Sequence, residues 1–172
     1  LVIDADGLNA FDGCTERLRN RHGRPLVLTP HPGEFSRLSG RPVAEILADP
    51  ITAASDFARR LGVWLVLKNF RTLVATPDGT LFVSPTGNPG MATAGMGDVL
   101  TGVLTSVIGQ FVGSGLQEES DVTRAVCLGV FLHGLAGGIA ADERGWEHLI
   151  AGDVVARLGE AYDELLEAAG QP

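Results

Sequence analysis

Basic residues are scarce in this sequence and lysine is almost absent: thirteen Lys and Arg stand against twenty-one Asp and Glu, and Lys68 is the one lysine. The net charge of −8 argues against a nucleic-acid backbone or an anionic membrane as partner for the surface as a whole. An anionic ligand therefore needs a local site. Cysteine is equally rare. Cys14 and Cys127 form no C-x-x-C pair, which excludes a disulfide framework or a structural zinc site and fits a reducing cytoplasm. No repeat, low-complexity segment or linker divides the 172 residues, so a single domain is expected over 1–172. The opening "LVIDADGLNA" has neither a basic n-region nor a small-residue cleavage site, and no secretory signal is read there. Long apolar runs are few. "AVCLGVFLHGLAGGIAA", 125–141, is short for a membrane span and carries His133 at its middle, and its Ala and Gly predict a buried core helix.

What is present alternates between strand and helix patterns. Strands are expected at Leu1 to Ile3, at "LVLT" (26–29) and at "VWLVLK" (63–68), with a hairpin over 72–85 turning at Pro77-Asp78-Gly79. A helical stretch over 43–61 is interrupted at Pro50. From Gly97 the period becomes helical, and two more helices are expected at 121–142 and 152–168. That order predicts an α/β sandwich with a mainly parallel sheet, in a domain that opens inside a strand.

Chemistry concentrates in "GNPGMATAGMGDVLTG", 87–102. Glycines at 87, 90, 95 and 97 let backbone N–H groups turn toward a ligand, and the following helix adds its positive N-terminal end, which together make a phosphate cradle. Asp98 lies in the first turn, where the helix dipole favours its ionised form, so it suits a base beside a phosphate. Lys68 closes a strand, where ligands bind in open α/β sheets, and "NFRT" follows it with Arg71 and Thr72. "TPHPGE", 29–34, presents His31 between prolines as a hydrogen-bonding group; Glu34 either holds a metal-bound water or complements a helix dipole. His22, His133 and His148 have no suitable neighbours in sequence and read as structural or surface residues. "VIDADGLN" also fits the start of a haloacid-dehalogenase-type phosphohydrolase, but Leu8 stands where that pattern expects Thr or Val, and no second acid follows Asp98 at the usual offset.

Together, "VIDADGLN", "LTPHPGE", "LKNFRTLVATPDG", "GNPGMATAGMGDVLTG", "LHGLAG" and "LIAGDVV" resemble the ADP-dependent NAD(P)H-hydrate dehydratases of the ribokinase-like superfamily, from Leu1 to about Leu158. The resemblance implies a ribokinase-like three-layer sandwich whose N-terminal part is missing, because members carry further strands and a glycine-rich segment before "DADGLN". It implies cofactor repair: ADP-dependent dehydration of (6S)-NAD(P)H hydrate, with AMP and phosphate released. Asp98 would be the catalytic base and, with His31, would contact the hydrated cofactor. Lys68, Asn69, Phe70, Arg71 and Thr72, with Gly95 and Gly97, would contact the adenine nucleotide, and Mg²⁺ would sit near Glu34 and Asp6. Asn69 stands where the family usually has Gly. A fused or separate NAD(P)H-hydrate epimerase is the implied partner, and a homo-oligomer stays open. Two alternatives remain: a ribokinase-like kinase of a small alcohol such as hydroxymethylpyrimidine, and an inactive nucleotide-binding fragment.

Overall fold

The computed structural model describes residues 1–19 and 24–170; His22 lies outside them. Five short strands, β1 (Val2–Ile3), β2 (Val27–Leu28), β3 (Trp64–Leu67), β4 (Leu73–Ala75) and β5 (Leu81–Val83), form one sheet in sequence order. The pairings β1–β2 and β2–β3 are parallel, and β3–β4 and β4–β5 are antiparallel. β4 alone is thus reversed. Its reversal comes from the tight connections on either side: in the β4–β5 turn Gly79 adopts φ +90°, its N–H donates to Thr76 at 2.9 Å, and Asp78 accepts from the Thr80 amide.

Alternation along the strands sorts their side chains to two faces. Leu28, Leu65, Leu67, Leu73 and Ala75 face one layer, formed by α1 (Ala5–Asn9), α2 (Pro32–Ser39), α3 (Val43–Ala48) and α4 (Pro50–Leu61). Val27, Trp64, Val66 and Val74 face the other, where α5 (Met96–Gly113) and α6 (Glu119–Arg144) pack. The three-layer sandwich is therefore written into the period-two pattern of buried strands. α7 (Ala151–Ala168) packs with α5 and α6 in a further apolar cluster. Pro50 ends one helix and begins the next, with Asp49 capping the Thr52 amide at 3.1 Å.

Both α5 and α6 are long and apolar enough to cross a membrane by length and composition. The small residues of α6 serve another end here: Ala125, Gly129, Gly134, Ala136, Gly137 and Ala140 are buried inside the protein, as a core helix requires. Trp64 Nε1 donates to Thr123 Oγ1 at 3.0 Å and ties the sheet to this helix.

Candidate active site

The parallel strands end on one side of the sheet, and their register brings together residues far apart in sequence. Thr29 N donates to Ile3 O at 3.1 Å and Lys68 N to Pro30 O at 2.9 Å, which aligns the ends of β1, β2 and β3. Asp4 and Lys68 follow β1 and β3 directly, and His31 lies three residues beyond the end of β2. Asp4 occupies the N-cap position of α1, yet its carboxylate makes no cap bond. It turns instead to tertiary partners: Lys68 Nζ donates to Asp4 Oδ1 at 2.7 Å and Thr101 Oγ1 to Asp4 Oδ2 at 3.1 Å. Ala5, next in sequence, has φ +48°, a left-handed conformation that a non-glycine residue adopts only when its surroundings hold it there.

Glu34 is buried and also lies near the lysine, its Oε2 3.9 Å from Nζ. It belongs to a reciprocal cap at the start of α2. His31 Nδ1 accepts from the amides of Gly33 and Glu34 at 3.0 and 3.3 Å, while Glu34 Oε2 accepts from His31 N at 2.8 Å. Because Nδ1 accepts, the ring proton of a neutral His31 is assigned to Nε2. Glu34 thus caps the first turn of α2. Asp6 is not drawn into this group: it is exposed, and its carboxylate accepts from Asn9 Nδ2 at 3.3 Å.

The N-terminus of α5 meets the same cluster. Gly95 is its N-cap residue, with φ +81°, and a Cβ added at Gly97 would lie 3.3 Å from both Asp4 Oδ2 and Lys68 Nζ. Glycine at 97 therefore lets the helix end approach the lysine closely. Asp98 follows on the first turn, exposed.

Beside this cluster opens a cavity of about 630 Å³. Its lining includes His31, Lys68, Asn69, Phe70, Thr72 and Gly97 of the residues expected from sequence, but not Arg71, Gly95 or Asp98. Arg71 points elsewhere: Nη1 donates to Pro85 O at 3.0 Å, and its guanidinium lies 5.6 Å from the centre of the Phe70 ring. The glycine run contributes less to the cradle than its spacing suggests. Gly90 N donates to Asn88 Oδ1 at 3.0 Å, and a Cβ at Gly90 would come within 2.6 Å of Trp146 O. That glycine makes room for packing.

The loop carrying these glycines is fastened to α6. Thr86 Oγ1 donates to Phe131 O at 3.1 Å and Asn88 Nδ2 to Gly137 O at 2.9 Å. A Cβ at Gly134 would stand 2.3 Å from Thr86 Oγ1 and 2.9 Å from the Gly87 nitrogen. His133 also belongs to the cavity wall, a placement invisible in sequence because it arises from helix–loop packing. It is buried, its Nε2 has no hydrogen-bond partner among the described residues, and desolvation lowers its pKa to about 4, against a smaller opposing effect of a hydrogen bond to the Met96 backbone.

A family model described as NAD(P)H-hydrate dehydratase matches residues 1–157. The chain belongs to this NAD(P)H-hydrate dehydratase family. Among its relatives, the bifunctional NAD(P)H-hydrate repair enzyme Nnr of Moorella thermoacetica is 48% identical over 98% of this chain and 31% of its own length. The ADP-dependent (S)-NAD(P)H-hydrate dehydratase of Neisseria meningitidis is 39% identical over 90% of this chain and 50% of its own. The chain thus spans between 21% and 55% of the length of the curated relatives it matches. The Bacillus subtilis ADP/ATP-dependent NAD(P)H-hydrate dehydratase co-crystallised with ATP/Mg²⁺ superposes with a TM-score of 0.75 at 31% identity, over 95% of this chain and 54% of that one. A hydroxyethylthiazole kinase from Pyrococcus horikoshii, 17% identical with a TM-score of 0.53, shares the fold alone. The segments "PHPGE", "LKNFRT" and "GMGDVL", on which the resemblance rests, meet at the cluster around Lys68.

Proposed function

We propose that the protein repairs nicotinamide cofactor by ADP-dependent dehydration of (6S)-NAD(P)H hydrate. The observation that carries this reading is the convergence at Gly97, where the sole lysine and the N-terminus of an 18-residue helix meet, with Asp98 adjoining in sequence. A helix N-terminus and an ammonium suit a transferring phosphoryl group. The next residue is a carboxylate, which suits the proton that must leave the attacking hydroxyl.

A ring hydroxyl is a poor leaving group, and phosphorylating it splits one difficult step into two. Asp98 takes the hydroxyl proton as the oxygen bonds to the β-phosphorus of ADP; the bridging P–O bond breaks and AMP leaves. The phosphate then departs with its C–O bond pair, the ring gives up a proton to water, and its double bond is restored. Lys68 and the amides at the start of α5 stabilise the transferring charge, and His31 orients the hydrated ring.

Among the described residues no group of three or more His, Cys, Asp or Glu could hold a metal. The donor set nonetheless fits Mg²⁺, which takes one or two carboxylates and completes its shell with water and substrate phosphate. Glu34 and Asp4, both beside Lys68, are the residues that would hold it through water, with exposed Asp6 outside this pair. Bound there, the ion would neutralise phosphate charge. The partner would be an NAD(P)H-hydrate epimerase, fused or separate, in keeping with the bifunctional relatives, and the setting the cytoplasm.

Asp98→Asn in the complete protein tests the assignment. Formation of NAD(P)H from the hydrate and ADP should fall by about 10²- to 10⁴-fold with ADP binding retained. A near-normal rate would remove Asp98 from the chemistry.

A further inference from the structure

Phe70 is 81% exposed, more than any other large hydrophobic residue described, although it lines the cavity. An aromatic ring left in water at the rim of a concave site lacks the contacts that usually stabilise such a side chain. The loop around it is nonetheless ordered by its own bonds. Asn69 Oδ1 accepts from Phe70 N at 2.8 Å, Arg71 is anchored to Pro85 O at 3.0 Å, and the Arg71 guanidinium lies 5.6 Å from the ring centre. The ring is thus carried on a fixed support, flanked by a cation, with most of its surface free. Lys68, two residues earlier, stands at the phosphate-binding end, while Met91, Leu100 and Val130 give the cavity apolar walls.

We propose that Phe70 is a base-stacking residue: its free face packs on the purine ring of the nucleotide whose phosphates reach Lys68. This rests on the nucleotide-dependent reading above and adds to it the group that recognises the base. Stacking requires only a flat π surface, so the residue favours a large purine ring over a smaller pyrimidine. The stacked cation reinforces the contact, because the guanidinium draws the ring toward a cation–π geometry while the base takes the other side.

The test is ADP binding by calorimetry in the complete protein and its Phe70→Ala, Phe70→Leu and Phe70→Tyr variants, each checked for unchanged thermal unfolding. Phe70→Ala should bind ADP roughly tenfold more weakly. Phe70→Leu, apolar but without a π face, should recover little, and Phe70→Tyr should bind like the parent. In Phe70→Trp, ADP should quench fluorescence beyond any change seen in the parent, which already holds Trp64 and Trp146. ADP affinity unchanged in Phe70→Ala, or fully recovered in Phe70→Leu, would overturn stacking and leave the nucleotide site standing. A parent that binds neither ADP nor ATP would overturn both.

Discussion

At the sheet end of the cavity the charged groups around Lys68 have partners before a ligand arrives: Lys68 Nζ rests on Asp4, the second Asp4 oxygen accepts from Thr101, and Glu34 accepts from the His31 amide. At one point of the α6 wall and one of the rim the reverse holds, for His133 Nε2 is buried without a partner among the described residues and the Phe70 ring is exposed. The first arrangement fixes the position of charge, so in the proposed reaction little reorganisation would be needed when a phosphate enters. The second leaves free energy for a ligand to recover. In the proposed reaction, preorganisation at one end and unsatisfied surface at the other would divide the work between chemistry and recognition.

Removing the lysine should break this contrast most strongly. Lys68→Ala leaves Asp4 and Glu34, with side chains 10% and 8% exposed, beside each other without their cation. A loss of about 3 kcal/mol in urea unfolding is expected. ADP binding should weaken as well, by roughly tenfold or more. A variant equal to the parent in both measurements would show that the paired end is not the preorganised one.

A smaller effect is expected at the wall. Gly134→Ala drives a methyl group against Thr86 and the Gly87 backbone, whereas Gly137→Ala meets only the side chain of Met91, its Cβ 2.3 Å from Sδ. The flexible thioether can move; the backbone cannot do so without shifting the loop. Gly134→Ala should therefore cost about 1–3 kcal/mol and Gly137→Ala clearly less, both read from denaturant midpoints. Equal losses would mean that the loop is not held by close approach at Gly134.

The acid limb of stability sharpens the contrast further. His133 has a folded pKa of about 4, below its ordinary value of 6.5, so between these values the unfolded chain binds a proton that the native protein refuses. Stability is thus full above the unfolded pKa and declines as pH falls toward the folded one. At pH 5 the loss relative to pH 7 should be about 2 kcal/mol, and it should vanish in His133→Leu. Asp49 and Asp78, whose pKa values are lowered from 3.8 chiefly by side-chain hydrogen bonds to Thr52 and Thr76, weaken the fold only at still lower pH. An unchanged acid limb in His133→Leu would place the titration elsewhere.

Much of this architecture was legible in the chain. Pro50 marked the break between α3 and α4, and the apolar run of β3 announced a strand covered on both faces. "GMGDVL" located the start of α5 to within a residue, since a helix beginning after glycine with an acid in its first turn is a local property. The short α1 escaped notice, as it begins with Ala5 in a conformation its identity disfavours.

The sequence by itself determined what could be decided locally: the strand and helix periods, an acid in the first turn of the helix at Glu34, the glycines that permit a close turn, and a single ammonium at a strand end. Only the tertiary structure decided which carboxylate meets that ammonium, which glycines face the cavity and which makes room for Trp146, and that His133 stands in the wall. These depend on parallel register and on helix–loop contact, which join positions tens of residues apart. In β-structure the side-chain period says which face a residue takes, while the neighbour it meets there is set by the pairing of strands. Asp4 shows the difference: in sequence it merely follows the first strand, and the register of β1 with β2 and β3 brings it to Lys68.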